Sequence, residues 1–151
     1  ENHLQLGKDI FFLISTDADH YGEDFDNAPY GMDEAAHTKA TDRDKEIGNK
    51  NFNGELNQSK VKELADDFWP ELEVNKVCPL WCGRYTVPFG LMTTINIVNE
   101  VSGKKIIGKF LGYSDSWTQG VIPIYHTNMG LTAPFSLKHW VGYAAAGFYL
   151  K

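Results

Sequence analysis

The sequence predicts an α/β fold with a mostly parallel central sheet and flanking helices. Three observations lead to this prediction: a short continuous apolar run at residues 10–14, segments of helical character further along, and polar, chemically capable residues directly after the first run. A continuous apolar run suits a strand that is buried on both faces of a parallel sheet. In open α/β sheets, ligands bind beyond the carboxyl ends of such strands. We therefore expect a functional site just after residue 14.

The composition is that of an ordinary globular domain. The chain has 151 residues, of which 42% are hydrophobic and 23% are charged, which is enough for a single domain with a real core. No apolar stretch reaches the roughly 18 residues that span a bilayer, and no basic segment precedes an apolar run as in a secretory signal. With only two cysteines, the chain is expected to be cytoplasmic and to have no membrane partner.

Charge is divided unevenly along the chain. Residues 1–75 carry 18 acidic and 7 basic side chains, whereas residues 76–151 carry 2 acidic and 7 basic ones. An acidic half without a basic stripe argues against binding to a phosphate backbone, so nucleic acid is not an expected partner. A solvated acidic face is the simplest interpretation of the excess.

Three helices are predicted, over residues 32–47, 59–69 and 86–102. Gly48 is expected to end the first helix, because glycine adopts the left-handed conformation that closes many helices. Pro70 stops the second helix, since proline cannot continue a helical hydrogen-bond ladder. Thr86 and Pro88 are typical of a helix start.

The remaining segments indicate strands and one long loop. Residues 105–113 predict a strand or a strand pair, and residues 140–150 a strand rich in small side chains, which permit close backbone packing or ligand approach. The irregular stretch between them, residues 114–138, is too long for a simple connection and is a candidate lid or binding loop.

The segment Ser-Thr-Asp-Ala-Asp-His-Tyr-Gly at residues 15–22 is the first candidate site. His20 can shuttle a proton near neutral pH if a neighbour such as Asp17 orients its ring. Each residue also has a simpler interpretation: Asp17 and Asp19 can cap a loop, and His20 can be an ordinary surface or hydrogen-bonding residue. His126 and His139 are reserve candidates.

The two cysteines, Cys78 and Cys82, form the second candidate site. Cys82 lies in the turn before the third predicted helix, where backbone N–H groups and the helix dipole favour a thiolate that can bind metal or attack an electrophile. The pair does not have the ligand count or spacing of a zinc finger. A local disulfide and a buried structural thiol both stay open. Arg84 is expected to hold an anionic substrate group or to pair with an acidic residue such as Asp17.

Four ordered segments resemble the Memo-like family, which includes the eukaryotic cell-motility protein Memo and the microbial AmmeMemoRadiSam system protein B. They are the segment at 15–22, Cys-Gly-Arg at 82–84, Phe-Leu-Gly-Tyr-Ser at 110–114 and Gly-Tyr-Ala-Ala-Ala-Gly at 142–147. The resemblance covers nearly the whole chain. It implies that residues 1–151 form a single domain corresponding to the C-terminal half of a family member.

The resemblance also implies a fold similar to that of the class III extradiol dioxygenases, with a metal cleft at one sheet edge. In that comparison His20 stands at the position of an acid/base histidine, Cys82 at that of a carboxylate metal ligand, and Asp17 at that of a site aspartate. The two remaining metal-binding histidines of the family lie on its N-terminal half. A His/His/Cys ligand set favours copper or zinc as much as iron. Family context suggests a radical-SAM partner for microbial members.

Three functions follow as hypotheses. The leading one is a metal-dependent redox or dioxygenase-like enzyme that uses Asp17, His20 and Cys82 on a small molecule or peptide, with the substrate-binding side chains Arg84, Tyr21 and Trp81. The second is a non-catalytic peptide- or protein-binding module in the same cleft, lined by Tyr21, Phe25, Trp81 and Trp117. The third is a Cys–His hydrolase that uses Cys82 and His20. A homo-oligomer is compatible with each of them.

Overall fold

The computed structural model describes residues 4–73, 76–77, 80–120 and 136–151. Within them the chain forms a four-stranded sheet, a small two-stranded sheet and four α-helices. The elements in chain order are β1 (His20–Gly22), α1 (Glu34–Phe52), β2 (Gly54–Leu56), α2 (Gln58–Asp67), β3 (Glu71–Glu73), β4 (Lys76–Val77), α3 (Thr86–Val101), β5 (Ile106–Asp115), α4 (Ser116–Gln119) and β6 (His139–Leu150). Two short 3₁₀ turns, Glu23–Phe25 and Cys82–Arg84, flank β1 and α3.

The four-stranded sheet is antiparallel throughout, so the prediction of a mostly parallel central sheet is wrong, and so is the implied likeness to the class III extradiol dioxygenase fold. Its strand order is β1-β6-β5-β2, and each of the three pairings is antiparallel. The long strands β5 and β6 dominate it, running side by side from Ile106 opposite Leu150 to Asp115 opposite Gly142. The reason is that two consecutive long strands pair directly with each other, whereas parallel neighbours would need a crossover between them.

The apolar run at residues 10–14 is not a buried strand, which corrects the second expectation on the fold. Residues 11–17 have no regular secondary structure, and Phe11 and Leu13 are 77% and 90% exposed. The backbone first joins the sheet at Ala18, whose N–H donates to the carbonyl of Gly142. A short apolar run is equally compatible with several environments, and periodicity alone cannot separate them.

Helices α2 and α3 lie within a residue or two of the predicted bounds, but α1 continues past its predicted end. Its N-cap is Asp33, which accepts a hydrogen bond from the N–H of Ala36 at 2.8 Å. Gly48 does not end the helix, which runs on to Phe52. A methyl group on Gly48 would lie 2.5 Å from Cζ of Phe110, so the missing side chain lets the helix approach β5.

The core lies between the sheet and helices α1, α2 and α3. Its largest fully buried apolar side chains include Leu64, Phe68 and Val98, and partly buried residues of β5 and β6 pack against the core. A second, smaller cluster contains Tyr21 of β1, Ala40 of α1 and Trp140 of β6. In the part of the chain that the structure describes, no helix is long and apolar enough to cross a membrane.

Candidate functional site

The loop before β1 is fastened to β6 and fixes the position of the first candidate residues. The Ala18 N–H donates to the Gly142 carbonyl at 2.8 Å, and the Gly142 N–H donates to the Asp19 carbonyl at 2.7 Å. His20 then pairs with Val141 as the first residue of β1. Asp17 and His20 are therefore held on either side of a short backbone segment that is hydrogen-bonded to the sheet.

Gly22 makes the sharp turn that follows. Its φ of +126° lies in a region that glycine adopts readily and other residues avoid. The backbone passes so close to β6 that a methyl group on Gly22 would collide with the Lys138 carbonyl. Only glycine therefore fits this turn after the candidate site.

His20 and Asp17 contact each other. Nε2 of His20 lies 3.1 Å from Oδ2 of Asp17, and both side chains are partly exposed. Because a carboxylate only accepts hydrogen bonds, the contact places a proton on Nε2 and leaves Nδ1 as the acceptor of a neutral ring. The ring of Phe25 packs against His20 with 4.9 Å between centroids. The arrangement is an imidazole oriented by a carboxylate and open to solvent, which suits proton transfer.

Cys82 is brought to the same place through its backbone. Its N–H donates to the Ala18 carbonyl at 2.8 Å, and the N–H of Gly83 donates to the Asp17 carbonyl at 3.2 Å. The Cys82 side chain is exposed, which contradicts the alternative of a buried structural thiol. A turn 62 residues away in sequence from His20 is thus joined directly to the Asp17–Ala18 backbone.

These residues do not form a complete chelating group. Among the residues described, no three His, Cys, Asp or Glu side chains are arranged to hold a metal ion. The structure brings together the backbone around Asp17, His20 and Cys82, and it places one carboxylate against one imidazole. Cys78 and His126, two other candidates from the sequence, lie outside the described residues.

Arg84 lies away from Asp17 and interacts with neighbouring aromatic residues instead. Its Nη1 donates to the Trp81 carbonyl at 3.1 Å. Its guanidinium carbon lies 5.4 Å from the ring centroids of both Trp69 and Tyr85, within the range of a cation–π interaction. No ion pair with Asp17 is among the contacts of this side chain, and its role toward an anionic substrate stays a prediction.

The other two predicted substrate-binding residues are buried. Trp81 is 2% exposed and packs against Phe68 with 5.2 Å between ring centroids. Tyr21 is fully buried and stacked on Trp140, and its hydroxyl donates to the Gly31 carbonyl and accepts from the N–H of Tyr30, each at 3.0 Å. Tyr21 therefore fastens the loop after β1 to the molecule.

A buried charged cluster lies under the loop, and the sequence interpretation does not identify it as a unit. Arg43 of α1 contacts Asp19 through Nη2 at 2.5 Å and Asp44 at 3.1 Å, and both carboxylates are fully buried. Tyr113 of β5 donates to the second oxygen of Asp44 at 2.8 Å, and Asn27 donates to Asp19 at 2.8 Å. The cluster ties the segment that carries His20 to α1 and β5.

Burial decides the protonation behaviour of this cluster. Burial, together with the charge of Asp19, raises the pKa of Asp44 to about 6, although Arg43 and the hydroxyl of Tyr113 oppose the shift. Burial also raises the pKa of Asp19, against the charge and hydrogen bond of Arg43. For Arg43 burial acts in the opposite sense, but the two carboxylates outweigh it and raise its pKa. One guanidinium thus serves two buried carboxylates.

A sequence signal for the cluster exists in α1. The buried positions Ala36, Ala40, Ile47 and Asn51 mark one face of the helix at spacings of four and seven residues. Asp44 stands on that same face, four residues after Ala40. A carboxylate on the buried face of a helix needs a partner, and this requirement is the signal in the sequence that indicates a buried ion pair.

A second histidine–aspartate pair lies next to the first. Nδ1 of His139 lies 2.7 Å from Oδ2 of Asp24, and the ring of Phe25 lies between His139 and His20, with centroid separations of 4.7 and 4.9 Å. His139 is one of the reserve candidates, and the structure places it on the strand that pairs with β1. Both imidazoles thus pack against the same phenyl ring.

Comparisons of the chain with protein-family models, with curated proteins and with solved structures found no match.

Proposed function

We propose that this chain is a Memo-like protein that binds a transition metal through His20 and Cys82 and serves metal-dependent redox chemistry on a small molecule or peptide. The observation that supports it is the junction between two distant segments: the backbone of Cys82 and Gly83 is hydrogen-bonded to Asp17 and Ala18. That junction brings the turn bearing an exposed thiol to the loop bearing a carboxylate-oriented imidazole.

The donor set is suited to a soft or borderline cation. Imidazole and thiolate ligands select zinc, copper or iron over magnesium or calcium. Two side chains do not complete a stable site, which takes three or four protein ligands, and the described residues contain no third candidate in position. In this proposal the remaining ligands come from outside the described residues or from a second molecule.

The residues themselves define two roles. Asp17 fixes the orientation of the His20 ring through Nε2, which leaves Nδ1 as the nitrogen that would ligate a metal. Cys82 is exposed at the start of a turn that leads into α3, where it is accessible to a metal ion. A metal bound there would add a Lewis acid or a redox centre.

The two alternative functions have less support from the geometry. The peptide-binding module is expected to use four aromatic residues, Tyr21, Phe25, Trp81 and Trp117. Tyr21 and Trp81 are buried and packed against other rings, whereas Phe25 is partly buried and Trp117 is 38% exposed. In a Cys–His hydrolase the imidazole must activate the thiol. Asp17 orients Nε2 of His20 as such a mechanism requires, but among the described residues no hydrogen bond joins the Cys82 thiol to His20.

The test is metal analysis of the full chain, purified without chelators, beside three single variants. We expect close to one metal ion per chain in the unmodified protein and its loss in both His20→Ala and Cys82→Ala. His139→Ala is the matched control, because it removes an equally partnered imidazole from the neighbouring strand, and it should keep the metal.

Titration with Co²⁺ supplies a second, direct readout. A cobalt–thiolate bond gives an intense ultraviolet charge-transfer band, which should appear in the unmodified protein and in His139→Ala but not in Cys82→Ala. Metal-free protein together with no charge-transfer band on Co²⁺ addition would refute the proposal, as would metal content that is unchanged in both His20→Ala and Cys82→Ala.

A further inference from the structure

Strand β6 has an edge that faces away from β5. Gly142 directs its N–H and its carbonyl to this edge, where they bond to Asp19 and Ala18, whereas Lys151 exchanges both of its backbone hydrogen bonds with Lys105 on the β5 side. Backbone groups point to alternate sides along a strand, so those of the even-numbered residues from 144 to 150 also face away from β5. Among the described residues, none of these groups is hydrogen-bonded to the backbone of the segment alongside.

That segment, residues 10–16, runs along the edge of β6 without joining it, and we call it the strap. After the strap, the Ala18 N–H donates to the Gly142 carbonyl at 2.8 Å. Before the strap, Gly7 lies against Leu150, since a methyl group on Gly7 would be 3.4 Å from the Leu150 Cδ1. The chain is therefore close to β6 at both ends of the strap. Between them, a cavity of about 150 Å³ is lined by residues of both, including Phe12, Ile14 and Thr16 of the strap and Ala144, Ala146 and Phe148 of β6.

The contacts at Gly142 define the register in which the strap can continue β1. Ala18 donates to the Gly142 carbonyl while the Gly142 N–H donates to Asp19, so two residues oppose one, as in a β-bulge. Counting back from this bulge in an antiparallel pairing gives the positions that meet. They are Thr16 opposite Ala144, Ile14 opposite Ala146, and Phe12 opposite Phe148.

The side chains of the strap already alternate as they do in a strand with one face on a core. Phe11 and Leu13 are 77% and 90% exposed, whereas Ile10 and Phe12 are 37% and 44% exposed and Ile14 packs against the core. Opposite the strap, β6 has small residues from 144 to 147. Bulky strap residues therefore meet small residues of β6, which leaves room for the two backbones to pair.

On the outer face of the sheet, the same register brings exposed apolar side chains together. It places Phe11 opposite Tyr149, which is 58% exposed, and Leu13 opposite Gly147. A methyl group on Gly147 would lie 3.7 Å from the Leu111 Cδ1, and Leu111 is 63% exposed. Closing the strap thus removes apolar surface from water and pairs the backbone groups of an open sheet edge, and both changes are favourable.

We propose that residues 10–16 are a strap that closes onto β6 as an antiparallel edge strand, and that the structure shows its open state. Closure extends β1 through the bulge and fills the cavity. Because Thr16 directly precedes Asp17, closure also fixes the backbone next to the carboxylate that orients His20. The strap requires no metal, so it stands or falls independently of the proposed function.

The test is solution NMR of the full chain labelled with ¹³C and ¹⁵N. Nuclear Overhauser effects between the α-protons of Leu13 and Gly147, and between those of Ser15 and Ala145, report closure directly. These are the non-hydrogen-bonded pairs of the closed register, in which the Cα atoms approach to about 4.5 Å. We expect both effects in the unmodified protein.

Two adjacent proline variants test the hydrogen bonds. Phe12→Pro removes an N–H that the closed strap donates to Phe148, whereas Phe11→Pro removes one that points to solvent, where an edge strand tolerates proline. We expect Phe12→Pro to lose the Overhauser effects and to speed amide exchange at Ala146 and Phe148 by about tenfold or more. Phe11→Pro should leave both unchanged. The amide of Gly147, which faces β5, is the internal control.

Absence of both Overhauser effects from the unmodified protein would overturn the inference, and so would equal amide exchange at Ala146 and Phe148 in the two proline variants. Dilution by about tenfold separates closure within one chain from exchange of straps between two copies. Overhauser effects that disappear on dilution would come from a second copy and would overturn closure within the chain. Closure in protein that fails the metal test would refute the proposed function alone.

Discussion

Replacing Asp44 by Asn should stabilise the protein near neutral pH and leave it unchanged in acid. Asp44 and Asp19 are both fully buried and share the guanidinium of Arg43, so the cluster contains one carboxylate more than it has cations. Burial and the charge of Asp19 raise the pKa of Asp44 from its ordinary value of 3.8 to about 6. Such a shift means that ionised Asp44 disfavours the folded state.

The sign and size of the effect follow from proton linkage. Between about pH 4 and pH 6 the folded protein holds a proton on Asp44 that the unfolded chain has released, so stability falls as pH rises through this range. A shift of about two units corresponds to about 3 kcal/mol. Asn has no such titration. It can still accept from Arg43, and its amide can donate to the hydroxyl oxygen of Tyr113.

The measurement is urea unfolding followed by tryptophan fluorescence at several pH values between 4 and 8. We expect Asp44→Asn to raise the free energy of unfolding by about 2–3 kcal/mol at pH 7.5 and by less than about 0.5 kcal/mol at pH 4. Asp66→Asn is the control, since Asp66 is exposed, and should change stability by less than about 0.5 kcal/mol at every pH. A stability difference that does not vary with pH, or a loss of stability at pH 7.5, would refute the reasoning.

Three further predictions concern the elements that hold the site. Gly22→Ala should lower the free energy of unfolding by about 1–3 kcal/mol or more in urea titrations, because the new methyl meets the Lys138 carbonyl at a positive φ; an unchanged midpoint would contradict that geometry. Asn57→Ala removes the side-chain acceptor of the Lys60 N–H at the start of α2 and should cost about 1 kcal/mol in thermal unfolding. Leu64→Ala, in the core, should cost about 2–5 kcal/mol by the same assay, and a loss below 1 kcal/mol would argue against its burial.

Elements with local signals could be predicted from the sequence. The bounds of α2 and α3 agree with the predictions because caps and proline act within a few residues of the helix ends. The end of α1 could not be placed, since the role of Gly48 depends on Phe110 of β5, 62 residues away. The prediction that the strands pair in parallel is wrong because strand pairing is set by partners distant in sequence rather than by the strand's own residues.

In the candidate site, too, contacts between residues close in sequence could be predicted and contacts between distant segments could not. The contact between Asp17 and His20 spans three residues and is expected from their spacing. The proximity of Cys82 to this loop depends on backbone hydrogen bonds between distant segments, and it is expected through the family resemblance rather than from local pattern. The sharing of Arg43 by Asp19 and Asp44 could not be predicted, because a helix position does not reveal which residue of another segment will meet it.

The pairing of β1 with β6 also has a consequence for how the protein is made. His20 and Val141 are about 120 residues apart in sequence, and closing such a loop is slow and entropically costly. On the ribosome, the segment that bears His20 emerges long before its partner strand has been synthesised. The candidate site is therefore assembled only after β6 leaves the exit tunnel, and a chain that stops before β6 lacks the strand on which that site is built.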